Sequence, residues 1–173
     1  MKTLPLNTLN YVKGLMCIFE NASCVVLSLI NKCSHDSLTR VLSDKGLCWQ
    51  TLLTNLIMRT FEKLRVGYLV IDDTTISKRF AASIENLSFV FDTKLGKSIL
   101  GLQLVLIIWS NGEVAIPLAL RVYQKNTGKT KIDLACELIE HAKKLGIKPE
   151  FITFDCWYAA EKFLLTKLNF QGA

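Results

Sequence analysis

Two aspartates, each closing a short apolar run, are the residues of this sequence best suited to chemistry. Tyr68-Leu69-Val70-Ile71 leads into Asp72-Asp73-Thr74-Thr75, and Phe151-Ile152-Thr153-Phe154 leads into Asp155-Cys156-Trp157-Tyr158. Runs of this kind read as central strands of a covered, largely parallel sheet. Neighbouring parallel strands lie about 4.8 Å apart, so Asp73 and Asp155 are expected to face each other at one edge of the sheet. Two carboxylates that close repel, and a divalent cation between them relieves the repulsion. The chemistry this suits is metal-assisted phosphoryl transfer, in which paired ions about 3.5–4 Å apart hold the attacking and leaving oxygens.

The elements that must position this pair follow from the pattern between the two runs. After Asp73 a polar turn is expected over Thr74, Thr75, Ser77, Lys78 and Arg79, with Lys78 or Arg79 within reach of a phosphate. Leu87, Phe89 and Phe91 alternate and suggest a short strand or a packed loop. Ser98–Trp109 and Glu113–Tyr123 are β-rich runs joined at Ser110-Asn111-Gly112, where Asn-Gly supplies a tight hairpin turn. Pro117 puts the second run at a sheet edge or at a bulge. Thr130-Lys131-Ile132-Asp133 resembles a capping box. The helix it opens carries Ile132, Ala135, Cys136, Ile139 and Ala142 on one stripe and closes at Gly146. It returns the chain to the second acidic run, and a last helix runs to about Leu168.

Residues 1–66 read as helical. Helices are expected from about Asn7 to Glu20, from Cys24 to Ile30 after Ser23, and from Asp36 to Leu42 with Gly46 as its terminator. A longer one follows, with Trp49, Leu52, Leu53, Leu56, Thr60, Phe61 and Leu64 on one face and Arg59, Lys63 and Arg65 off it. Two of these helices are compatible with a helix-turn-helix around Asp44-Lys45-Gly46, or with a small bundle.

Composition narrows the classes. Half of the 173 residues are hydrophobic, which excludes disorder and supplies a core. The net charge is +6, with +4 of it in residues 1–66, which suits a polyanionic partner such as DNA. Six cysteines without a C-x-x-C pair and only two histidines argue against zinc and fit a reducing cytoplasm. The longest apolar run, Ile99 to Trp109, is broken by Gln103 and is shorter than the ~20 residues of a membrane helix, so no membrane span is expected. Gly128-Lys129-Thr130 matches the end of a phosphate-binding loop but lacks its first glycine.

Ile71-Asp72-Asp73-Thr74-Thr75 with Lys78, and Phe154-Asp155-Cys156-Trp157-Tyr158 placed 82 positions on, resemble the DDE transposases of bacterial insertion sequences. These belong to the ribonuclease-H-like integrase superfamily. The resemblance covers about residues 35–173. It implies an α/β fold: an N-terminal helical region (1–66), then an incomplete ribonuclease-H-like mixed sheet with flanking helices (67–173). It implies Asp73 and Asp155 as catalytic acids, with Asp72 as an adjacent candidate metal ligand. Two Mg²⁺ or Mn²⁺ ions are the implied cofactors, DNA (transposon ends and target) the partner, and the bacterial nucleoid the place of action. Tyr158 corresponds to a tyrosine three residues after the second acid.

The family's third acid, a glutamate with tyrosine, arginine and lysine at fixed offsets, has no counterpart. Glu161 falls on the wrong element, and Glu150 sits at the far end of its strand. The expectation is a transposase cut short before that glutamate, inactive alone and prone to self-association along the edge of its last strand. The rival expectation is a non-catalytic DNA-binding or interaction remnant. An unrelated ribonuclease-H-like hydrolase would need further acids near the pair, and the sequence offers none.

Overall fold

The computed structural model describes residues 5–18, 22–61, 66–81, 83–92, 95–125 and 127–171. The chain divides into two compact units, Met1–Trp49 and Gln50–Ala173. The first holds α1 (Leu6–Met16), α2 (Cys24–Asn31) and α3 (His35–Ser43). Ser23 caps α2, its Oγ accepting from the Val26 N–H at 3.3 Å. Among the described residues Leu27, Leu38 and Val41 are the buried hydrophobic side chains of this unit. Gly14 lets α1 meet α2 closely, since a Cβ there would stand 2.8 Å from Leu27 Cδ2. Gly46, expected to close α3 with a left-handed turn, is not among the positive-φ glycines. The Asp44 carboxylate accepts from its N–H instead, at 2.8 Å.

The second unit takes in almost all of α4 (Trp49–Phe61) and then β1 (Tyr68–Ser77), β2 (Ser88–Asp92), β3 (Lys97–Ser110), β4 (Ala115–Tyr123), α5 (Lys131–Lys144), β5 (Ile152–Phe154) and α6 (Glu161–Gln171). The helix-turn-helix expectation would pair α3 with α4, which fall in different units. Ile57 of α4 belongs to the apolar cluster of the sheet unit, and Leu53 packs against it. The side chains of Leu56, Arg59, Thr60 and Phe61, and residues Lys63, Leu64 and Arg65, lie outside the described residues.

β1 is central. It pairs antiparallel with β3 along its whole length, Tyr68 opposite Ser110 through Ser77 opposite Gly101. On its other side it pairs parallel with β5, Leu69 opposite Ile152 through Ile71 opposite Phe154. β2 and β4 lie end to end along the far edge of β3, opposite residues 97–101 and 103–110 respectively. The order is thus the expected one, an antiparallel hairpin on one side of the first acidic strand and a parallel strand carrying the second acid on the other. Among the described residues β5 has only β1 as a partner.

Local chemistry explains most of these elements. The pairing of β4 skips Leu118 between Ile107 and Ile108 of β3, so Pro117 sits beside a bulge on an edge strand, where its missing N–H costs no ladder bond. The β3–β4 loop departs from the two-residue turn. Only Gly112 takes positive φ, and Asn111 works through its side chain, accepting from the N–H groups of Glu113 and Val114. Thr130 and Asp133 form a reciprocal capping box at α5, and Gly146, at φ 73°, ends the helix. Lys129 and Thr130 are engaged by Glu137 and Asp133, so the Gly-Lys-Thr segment serves as a helix start.

One face of the sheet is dry. Leu69, Ile71, Val105, Ile107 and Trp109 meet Leu134, Ala135, Leu138, Ile139 and Ala142 of α5, and Tyr158 and Phe163 complete the cluster. On β1 the residues between, Tyr68 and Val70, are half-buried, so burial alternates where the apolar run suggested equal cover. Phe89 and Phe91 point outward from β2, and Val90 is its buried residue. Among the described residues no helix is long and apolar enough to cross a membrane.

The start of β1 is packed to the limit. A Cβ on Gly67 would lie 2.5 Å from the Trp109 ring and 2.6 Å from the Ser110 carbonyl oxygen. Gly67→Ala is therefore expected to destabilise the chain by about 1–3 kcal/mol, read as a lowered urea midpoint at unchanged slope.

Candidate active site

β1 outruns its parallel partner. Strand β5 stops at Phe154, opposite Ile71, while β1 continues for six residues along β3. The missing neighbour leaves a cavity of about 490 Å³ where β5 ends, with Asp73, Thr75, Asp92, Gln103, Lys131, Asp155 and Trp157 in its lining. Asp73 and Asp155 thus reach one cavity by different routes. Asp73 is inside a strand, on the same face as Leu69 and Ile71. Asp155 has left its strand and caps the 3₁₀ turn Cys156–Tyr158, accepting from the Trp157 N–H at 3.2 Å.

Asp73 is half-buried and fully engaged. Its Oδ2 accepts from Lys131 Nζ at 2.8 Å and from Gln103 Nε2 at 3.0 Å, and its Oδ1 accepts from the Tyr158 hydroxyl at 3.2 Å. The three donors come from α5, β3 and the 3₁₀ turn. Lys131 is the first residue of α5, so the capping box that starts the helix also sets where its side chain departs. Its ammonium lies 4.8 Å from the centroid of the Trp157 ring as well. Asp155 is exposed. The Cys156 thiol, and after it the Trp157 N–H, hold its carboxyl below the usual carboxylate range, and the same contact raises the thiol. Asp155 is thus an anion at neutral pH.

The other expected residues are not brought here. Strand alternation turns Asp72 to the opposite face; its Oδ1 accepts from the Asp73 N–H at 2.8 Å, and it does not line the cavity. Thr74 to Ser77 continue β1 where a turn was expected. Lys78 and Arg79 therefore lie five or more residues beyond Asp73, about 16 Å along the strand, and are exposed outside the cavity. Glu150 and Glu161 do not line it either. Three lining residues went unassigned from the sequence: Gln103, Lys131 and Asp92. Gln103 left a trace, as the one polar residue in the apolar run Ile99–Trp109.

The donor set suits a hard cation, since Asp73 and Asp155 offer carboxylate oxygens to one open cavity and Mg²⁺ is often held by one or two carboxylates. Among the described residues no three His, Cys, Asp or Glu side chains stand close enough together to hold a metal.

A mixed sheet with flanking helices thus presents two carboxylates to one cavity, one from within β1 and one from the turn after β5. The family described as DDE superfamily endonuclease matches residues 5–171, and the chain belongs to it. Among solved structures the chain is similar to the Mos1 transposase paired-end complex with left transposon end, at 10% identity and a TM-score of 0.31. The match covers 98% of this chain and 58% of that one. No curated protein matches.

Tyr158 gives the site a pH signature. Burial first, and then the charge of Asp73, raise its hydroxyl well above the ordinary 10.0. The folded chain thus keeps a proton that the unfolded chain loses in alkali. The stability this group contributes is complete below pH 10 and declines as pH rises beyond it. Tyr158→Phe is expected to cost about 1 kcal/mol at neutral pH. Urea unfolding should show the gap from wild type narrowing above about pH 10.

Proposed function

We propose that this chain carries the first two acids of an insertion-sequence transposase, working on DNA at the bacterial nucleoid by divalent-metal-dependent strand cleavage and strand transfer. The single observation behind this reading is that Asp73 and Asp155, 82 residues apart, open onto one cavity in a chain of the DDE endonuclease family. Asp73 and Asp155 would hold Mg²⁺ or Mn²⁺, which when bound supplies Lewis-acid activation of water and neutralises phosphate charge. The protein's own part is positional. Tyr158 and Gln103 fix the two oxygens of Asp73, and the 3₁₀ turn aims Asp155. The net charge of +6 draws the DNA backbone. Among the described residues β5 pairs only with β1, and the other edge of β5 supports self-association.

A further reading is that the 173-residue chain by itself binds a cation without cleaving DNA: Asp92 joins the two acids in the cavity lining, but among the described residues no three such side chains stand close enough together to hold a metal. Titration with Mn²⁺ followed by electron paramagnetic resonance tests the metal site. Wild type should bind, and Asp73→Asn and Asp155→Asn should each weaken binding at least about tenfold. Binding unchanged in both variants overturns the site. Incubation of supercoiled DNA with the chain and Mn²⁺ tests inactivity, and nicking that disappears in Asp155→Asn would show that two acids suffice.

The alternative, a non-catalytic DNA-binding remnant, is favoured by the ion pair that already occupies Asp73. Both readings expect duplex affinity to fall steeply with salt, by roughly 10³-fold or more between 50 and 200 mM if six or more phosphates are met. Filter binding across that range measures it, and salt-independent binding would exclude both.

A further inference from the structure

We propose that Lys131 is a resident cation of the carboxylate cavity, holding Asp73 until a divalent ion takes that carboxylate and then passing to a DNA phosphate. The inference rests on the metal reading of Asp73 and Asp155 given above. Its ground is the geometry of one side chain. Lys131 Nζ lies 2.8 Å from Asp73 Oδ2, and the two side chains are only 18% and 23% exposed. A half-buried carboxylate without a counter-charge is costly, so some cation must serve it. In the metal-free chain that cation is Lys131.

The other two donors to Asp73 differ from it in kind. Gln103 and Tyr158 present neutral N–H and O–H groups, and a carboxylate with about four lone-pair sites can keep both while it accepts a metal ion. An ammonium cannot share so easily, because it repels a divalent charge beside it. Lys131 is also free to move. Its backbone is fixed at the start of α5, but its stem carries several rotatable bonds. The face of Trp157, 4.8 Å from Nζ, already shares the ammonium and can keep it inside the same cavity when Asp73 turns to another cation. Trp157 is 54% exposed, so an ammonium resting there faces solvent and any phosphate that enters. Lys131 thus offsets the charge of Asp73 when no metal is bound and contributes one phosphate contact when it is.

The test uses the full chain, Mn²⁺ as the only metal, and the variants Lys131→Met and Lys131→Arg, with circular dichroism to establish folding. If Lys131→Met does not fold, Lys131→Gln takes its place. Removing the competing ammonium is expected to tighten Mn²⁺ binding roughly tenfold, while Lys131→Arg, which keeps the charge, stays within about twofold of wild type. Equal or weaker Mn²⁺ binding in Lys131→Met overturns the proposal, provided wild type binds and Asp73→Asn does not. If neither wild type nor Lys131→Met binds Mn²⁺, the metal reading itself falls, and the proposal with it.

The transfer has its own measurement, the salt dependence of duplex binding. With Mn²⁺ present, the slope of log affinity against log salt should be smaller in Lys131→Met than in wild type by about one, the loss of one phosphate contact. Without Mn²⁺ the two slopes should coincide, since Lys131 is then held by Asp73. A difference that is the same with and without Mn²⁺ overturns the transfer to phosphate.

Discussion

The organisation of the sheet unit depends on a carboxylate in the middle of a β-strand. Asp73 is half-buried at the margin of an otherwise apolar face, and an anion there requires compensation. Its three donors come from β3, from the first residue of α5 and from the turn after β5. These segments are joined only through the fold, and each must be in register for its donor to arrive. The ladder between β1 and β3 brings Gln103 opposite Thr75, one diagonal step from Asp73. The capping box fixes Lys131, and the 3₁₀ turn tucks Tyr158 beneath the strand end. Asp73 is thereby also a check on assembly, because an error in any of the three segments leaves a half-buried charge short of a partner.

The two acids are held by opposite means. Asp73 is rigid, fixed within a strand and bonded on both oxygens. Asp155 is exposed and kept ionised by the thiol and amide of its own turn. The gap beside them is simple in origin. β5 is three residues long and β1 is ten, so the longer strand lacks a neighbour where the acids lie.

Much of this was legible because it depends on local chemistry. The apolar runs before the acids marked adjacent parallel strands, Pro117 marked an edge strand with a bulge, and Thr130 with Gly146 bounded α5. What escaped was set by partners distant in the chain. Thr74 to Ser77 are polar and followed a pair of acids, so they read as a turn. Their place in β1 comes from the facing residues Gly101 to Leu104 of β3. Asn111 precedes a glycine and reads as a positive-φ residue, yet its side chain satisfied the loop by accepting two N–H groups. Lys131 looked like the unremarked second position of a capping box. Nothing within its own segment says that the helix start opens beside Asp73.

Gln103 is the case in which the trace was present. A lone amide in a run of aliphatic residues on a central strand must be hydrogen-bonded, since burying it unpaired costs more than the run gains by continuing through it. The partner had to be a side chain, because both edges of β3 are occupied by backbone ladders at that point. On the neighbouring strand one carboxylate lies two residues from the position facing Gln103, and it is the aspartate whose role the sequence had already proposed. A half-buried amide beside an acid thus marks which of two adjacent aspartates turns inward. The choice of Asp73 over Asp72 follows from the same alternation that buries Leu69 and Ile71.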